Sequence, residues 1–263
     1  MDNQFSVAND LRIENLSLQY ESDLGTDRFA VQGLTLTVPQ NQIWCLVGKS
    51  GCGKSSLIRM IAGLEKPTTG RITVGGVPVS GRPSADRVMV FQEDAVFPWM
   101  TVYQNIEYPS KVAGLPKRER RKRTMRFIEM VGLTEYAHAW PKELSGGMRK
   151  RVDVARAYPL NPKILLMDEP FGALDVMTKG QLQLALLDLL SSEPKTTIFV
   201  THDLEEAIFL GDVVLVMDKG RVAAKHSVPF PRPRPETLKS EPQFITMRDS
   251  IARELHDRTA SND

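Results

Sequence analysis

The apolar run Ile43-Trp44-Cys45-Leu46-Val47 leads directly into Gly48-Lys49-Ser50-Gly51-Cys52-Gly53-Lys54-Ser55-Ser56, and this junction constrains the fold more than any other segment. A short, wholly apolar run bounded by turn residues reads as a strand buried on both faces. The glycines allow a tight loop whose backbone N–H groups turn inward, and a helix is expected to begin near Lys54. Loop amides, a helix N-terminus and the Lys54 ammonium then surround one anion, the arrangement that binds phosphate. Strand, loop and helix in that order commit the region to an α/β sheet, with the loop at the carboxyl end of a strand.

A second apolar run, Ile164 to Met167, delivers Asp168 and Glu169 to the end of another strand. Alone, such an acidic pair would read as a strand terminus; with the phosphate loop upstream it reads as chemistry. Lys54 supplies charge to the β- and γ-phosphates, Ser55 a hydroxyl ligand for Mg²⁺, and Asp168 a second Mg²⁺ ligand, directly or through water. Glu169 faces the γ-phosphate, where it orients and deprotonates the attacking water. ATP and Mg²⁺ are therefore the expected substrate and metal. The two cysteines, Cys45 and Cys52, lack metal-ligand spacing and are expected as free thiols, Cys52 as a small loop residue.

The 263 residues carry a formal net charge of +2, so whole-chain charge makes no case for nucleic-acid binding. No apolar run approaches the roughly 20 residues needed to cross a bilayer. Met1 to Phe5 lacks a secretory signal, which leads to an expectation of a cytoplasmic protein. Strands are expected at Leu11 to Tyr20, Leu34 to Val38, Arg71 to Val74 and Arg87 to Phe91, and a helical lobe from Thr101 to Ala157. Alternation then resumes: Ile164 to Met167, a helix around Leu182 to Leu190, Thr196 to Val200, a helix over Leu204 to Leu210, and Val213 to Met217. That order predicts a largely parallel sheet. Val228 to Pro235 is expected as an extended linker because its prolines fix φ and remove donors. Phe244, Met247, Ile251 and Leu255 fall at helical spacing and predict a short C-terminal helix packed on the body. The chain thus divides into residues 1–91, a β subdomain with the first part of the nucleotide-binding core; 92–157, a helical subdomain; 158–227, the rest of the core; and 228–263, linker and terminal helix.

With its motifs in this order, the chain resembles the ATP-binding subunit of an ABC transporter over nearly its whole length. Leu144-Ser145-Gly146-Gly147-Met148 is similar to the ABC signature, Gln92 sits at the Q-loop position, Ala173-Leu174-Asp175 matches the D-loop, and His202 the switch histidine. The resemblance implies a P-loop NTPase (RecA-like) core with an antiparallel β subdomain and an inserted helical subdomain. Ser145-Gly146-Gly147 opens a helix running to about Ala157 and so offers a second anion site. The resemblance implies that Ser145, Gly146, Gly147 and Met148 close on the γ-phosphate held by an opposing subunit, in a head-to-tail dimer of identical chains or paralogues. It further implies that His202 bonds the γ-phosphate while holding Glu169, and that Gln92 ligates Mg²⁺ or the attacking water. Tyr20 takes the place of the aromatic that stacks on adenine, with Phe29 as competitor. The implied partners are a multi-span permease and, through it, an extracytoplasmic solute-binding protein, with the chain peripheral on the cytoplasmic face of the inner membrane and no nucleic acid bound.

Three positions depart from the commonest family pattern: Lys49 replaces a frequent proline, Met148 the usual glutamine, and Asp153 a small apolar residue on the signature helix. None removes a catalytic group, but Asp153 is expected to alter helix packing. Lys117 to Arg123 is a solvated helix face or a contact for anionic headgroups. Phe97-Pro98-Trp99-Met100 is either a seat for a permease helix or a local core cluster. Within the family the chain resembles importers for nitrate, taurine and aliphatic sulfonates. Lipid-transport ATPases are the nearest rival class. Soluble ABC ATPases, with long coiled coils or two fused cassettes, are further off, since the sequence has neither feature.

Overall fold

A computed structural model describes residues 10–20, 28–93, 95–172 and 174–260. Met1 to Phe5, most of the Glu21 to Arg28 segment and Ala173 of the D-loop triplet lie outside the described residues. The first half is built from β1 (Leu11–Tyr20), β2 (Arg28–Val38), β3 (Ile43–Val47), α1 (Lys54–Ala62), β4 (Thr69–Val74), β5 (Val77–Pro78) and β6 (Arg87–Val90). Then come α2 (Val102–Val112), α3 (Lys117–Met130) and α4 (Gly146–Arg156), followed by β7 (Ile164–Asp168), α5 (Val176–Ser192), β8 (Thr196–Val200), α6 (Leu204–Leu210), β9 (Val213–Asp218), β10 (Arg221–Ser227) and α7 (Pro242–Ala260).

Two sheets form: a four-stranded antiparallel sheet in the order β2-β1-β4-β5 and a six-stranded sheet in the order β10-β9-β3-β8-β7-β6. In the larger sheet every pairing is parallel except that of β10 with β9. β3 lies between β8 and β9, which explains its continuous apolar sequence: a central parallel strand is covered on both faces. Its residues alternate between two cores. Trp44 and Leu46 join the core shared with the antiparallel sheet and α1, whereas Ile43, Cys45 and Val47 join the core shared with the helices. β7 divides the same way, Ile164 and Leu166 on one side, Leu165 and Met167 on the other. Each such buried side chain contributes about 1.5–3 kcal/mol.

Local capping sets the helix boundaries. Thr101 and Gln104 form a reciprocal capping box at α2, and Ser145, Asp175 and Asp203 cap α4, α5 and α6 through their side chains. Gly63, at φ 77°, closes α1 with its N–H on Met60 O, and the Leu64 N–H reaches Arg59 O.

Three segments differ from the sequence expectation. β2 begins at Arg28, because pairing with β1 extends from Leu11↔Val38 to Tyr20↔Arg28 even where bulges break the apolar alternation. β10 carries no apolar run and forms because its backbone pairs with β9 at the sheet edge. The proline-rich stretch 228–235 is irregular, as its prolines require, yet it is fastened to the body: Arg234 is buried in it, and α7 beyond is 19 residues long. Phe244 and Ile251 of α7 are fully buried, so that helix does pack back.

Candidate active site

The turn from β3 into α1 surrounds a cleft of about 520 Å³. Among its described lining residues are Gly48, Ser50, Gly51, Gly53, Lys54, Ser55 and Ser56, joined by Tyr20, Glu169 and His202. Gly53 is required at its place on two counts: φ is 105°, and a Cβ there would stand 2.0 Å from the Ala30 carbonyl oxygen of β2. Lys49 and Cys52 are not among the lining residues; Lys49 is exposed and Cys52 is buried. The Lys54 ammonium, only 6% exposed, donates to the carbonyls of Gly48 at 2.7 Å and Lys49 at 2.9 Å. The cation is thus held inside the ring of loop amides. Cys45 and Cys52 are both free thiols, and burial pushes the Cys45 thiol pKa up.

At the end of β7, Asp168 Oδ1 accepts a hydrogen bond from Ser55 Oγ at 3.3 Å. Burial raises the Asp168 carboxyl pKa; the Ser55 hydrogen bond opposes this, and the neighbouring Glu169 charge adds to it. A hydroxyl and a carboxylate side by side fit Mg²⁺, which takes oxygen ligands and is usually held by one or two protein groups plus phosphates. Bound there, Mg²⁺ neutralises phosphate charge. Glu169 follows at φ 44°, an uncommon conformation for a residue with a Cβ, fixed by its N–H donating to Val200 O at 3.0 Å. That backbone turn aims the carboxylate at His202, whose Nδ1 lies 3.0 Å from Glu169 Oε2. The imidazole is two-thirds exposed at the cleft mouth. Gln92 does not line the cleft, but its Nε2 and Glu169 Oε2 converge from two sides on Gly172, within 3.3 and 3.7 Å of where a Cβ would stand.

Tyr20 lines the cleft, 46% exposed, with its hydroxyl donating to Glu65 at 2.5 Å. Burial first, and that hydrogen bond second, raise its phenol pKa. Phe29 is exposed on the neighbouring strand and is not among the lining residues. Arg28 and Ala30 of β2 do line the cleft, which the sequence reading missed; the strand signal there was too weak to place them.

Ser145 to Met148 are not among the residues lining this cleft. Ser145, exposed, caps α4 by accepting from the Met148 N–H at 3.2 Å, with Gly146 half-buried and Gly147 buried behind it. Asp175 accepts from the Thr178 N–H and so starts α5, and hydrogen bonds from Thr178, the side chain first and the N–H second, lower its carboxyl pKa. Two turns into α4 the departure at Asp153 finds its reason. Asp153 is buried between Lys150, whose ammonium is 3.6 Å away, and Arg156 at 2.7 Å. Lys150 donates to the carbonyls of Phe91 and Gln92, and Arg156 to that of Ala95. The signature helix therefore grips the backbone around Gln92 by buried charges. Separation in sequence hid this clamp, although the acidic residue at 153 was its one visible sign.

Phe97 is enclosed by Trp99, Tyr108 and the Arg156 guanidinium, whereas Trp99 itself is 67% exposed. The segment is thus a local cluster with one exposed aromatic, as the second of the two expectations had it. On α3, Arg120 pairs with Glu107 and Arg123 with Glu119, so two cations of the basic run serve the fold.

Phosphate loop, paired oxygen ligands and a carboxylate–imidazole pair at the carboxyl ends of parallel strands define a P-loop nucleoside triphosphatase. Residues 31–172 match the family described as ABC transporter, and the chain belongs to that family. It is 43% identical over 253 residues to the taurine import ATP-binding protein TauB of Rhizobium johnstonii, covering 94% of this chain and 96% of that protein. It is 41% identical over 237 residues to the nitrate import ATP-binding protein NrtD of a Synechocystis strain, covering 87% and 89%. A dimeric post-hydrolysis state of the ATP-binding cassette MJ0796 with ADP and Pi is similar in structure: TM-score 0.72, 28% identity, 84% of this chain and 100% of that one. The chain is accordingly an ATPase that binds ATP with Mg²⁺. Among the described residues no helix is long and apolar enough to cross a membrane.

Proposed function

We propose that this chain powers import of a small anion, of the nitrate, taurine or sulfonate kind, from the cytoplasmic face of the inner membrane. An extracytoplasmic solute-binding protein delivers the cargo to the permease. The observation that carries the catalytic half of the reading is the 3.0 Å Glu169–His202 pair at the mouth of the phosphate-loop cleft. Glu169 takes the proton of the attacking water, and His202 holds that carboxylate while its ring faces the γ-phosphate. Lys54 and the loop amides bind the phosphates, Ser55 and Asp168 hold Mg²⁺, and Gln92 stands beside the attacking water. Tyr20 stacks on the base.

In this reading the N-terminus of α4, with its Ser145 cap, supplies an anion site to the open side of a second copy's cleft. ATP thereby closes two chains head to tail, and loss of the γ-phosphate weakens the closed state. Asp175 lies at the same dimer face. The chemistry for the permease contact is an open apolar groove of about 570 Å³ between α2 and the core, lined among others by Leu64, Phe91, Tyr108 and Val112. Its neighbour Trp99 extends that apolar surface. Cargo identity rests on the relatives' names; no residue of the cleft reads a solute.

The test uses Glu169→Gln with ATP as bait in detergent-solubilised native membranes. Recovery of a multi-span permease together with a solute-binding protein supports the reading. Recovery of soluble partners alone, or of a permease serving lipid traffic, replaces it.

A further inference from the structure

The turn that carries His202 is held by a chain of buried hydrogen bonds that ends in the C-terminal segment. Thr201 Oγ1 donates to Glu206 Oε2 and accepts from the Asp203 N–H at 3.0 Å, so the two residues flanking His202 are tied together. Asp203 Oδ1 accepts in turn from the Glu206 N–H. Glu206 Oε1 accepts from Gln183 Nε2 of α5 at 3.1 Å, and Gln183 Oε1 accepts from Lys239 Nζ at 2.8 Å. Thr201, Glu206 and Gln183 are each no more than 3% exposed, so water does not compete for these bonds. Lys179 reinforces the same node through Asp203 at 2.7 Å and Glu206 at 3.5 Å.

The far end of α6 is fastened by the same segment. Arg234 donates to the carbonyls of Ile208, Phe209 and Gly211, and Arg232 to that of Leu210, so two cations cap the carboxyl end of a seven-residue helix. Burial lowers the Arg234 pKa to about 10, leaving it charged at neutral pH. The Lys239 ammonium also lies 4.5 Å from the Phe209 ring centre. α6 therefore meets His202 at one end and the strap at the other.

We propose that Lys239 and Gln183 are positioning residues for His202, so that the C-terminal segment forms part of the hydrolytic machinery. This rests on the assignment of His202 to the γ-phosphate. Neither residue reaches the cleft; both act through the geometry of the Thr201–Asp203 turn.

The test is steady-state ATPase kinetics on the full-length chain with Mg²⁺-ATP, in a double-mutant cycle. Lys239→Met, whose stem still covers Phe209, is expected to lower kcat about ten-fold while KM for ATP changes by less than about two-fold. In a His202→Ala background the same substitution is expected to change kcat no further. Lys239→Arg, which can still donate to Gln183, should restore kcat. Gln183→Met, the second variant, should reproduce the Lys239→Met loss. Undiminished kcat in both single variants overturns the proposal, as does an equal loss with and without His202. A His202→Ala enzyme with normal kcat overturns the histidine assignment itself, and this inference with it.

Discussion

The Lys54 ammonium is held by two loop carbonyls and is itself buried, so a charge-assisted bond to phosphate there meets little competition from water. Lys54→Ala should weaken ATP affinity by about 10- to 100-fold, the range of one lost charged hydrogen bond. Titration with a fluorescent nucleotide measures this; an unchanged Kd contradicts a phosphate role. Asp168 makes the opposite kind of statement. Its raised pKa means that the ionised carboxylate is disfavoured in the folded, metal-free protein. Stability therefore falls as pH rises from the ordinary carboxylate range through the raised value. Asp168→Asn is expected to raise the melting temperature of the nucleotide-free protein slightly and to abolish the further rise given by Mg²⁺-ATP. A lower melting temperature without nucleotide would show that Asp168 is structural. Tension between stability and function belongs to such a site.

At the scale of elements, α4 and α5 approach so closely that Gly147 has no space for a methyl group: a Cβ would lie 2.4 Å from Thr178 Cγ2. Gly147→Ala should cost about 1–3 kcal/mol by overpacking, read as a shift in urea midpoint, and Thr178→Ala should relieve most of it. The clamp on the same helix predicts a larger effect. Asp153→Ala leaves the Lys150 and Arg156 cations facing each other without the carboxylate between them, at an expected cost of about 3 kcal/mol. Elements with strong local signals were legible in sequence. β1, β3, β8 and α6 have the bounds that apolar runs and Asp or Gly punctuation announce. The phosphate loop, Asp168, Glu169 and the Ser145 cap could be placed for the same reason. The elements that escaped are those made by partners distant in sequence: β10 exists because β9 offers an edge, the front half of β2 because β1 continues past Leu34, and the Arg234 strap because α6 ends in bare carbonyls. No local pattern encodes such dependence.

For the whole molecule, the proposed pairing of the cleft on one chain with the α4 N-terminus of another would make nucleotide the link between copies. Glu169→Gln removes the proposed general base while leaving the proposed phosphate contacts, so hydrolysis should fall by about 10²- to 10⁴-fold. The same variant should elute as a dimer only when ATP is present, as judged by light scattering after size exclusion. Dimers without ATP, or monomers with it, would contradict nucleotide-driven closure.

The order of strands in the large sheet also bears on the history of each molecule as it is made. β3 carries the phosphate loop but is flanked by β8 and β9, which follow it in the chain by more than the whole helical lobe. While a ribosome is still translating that lobe, the loop sequence is complete yet its strand has neither neighbour. Non-local pairing of this kind comes late and leaves apolar strands exposed in the meantime. The nascent chain therefore holds no nucleotide through most of its synthesis and acquires the site only near the end, all at once.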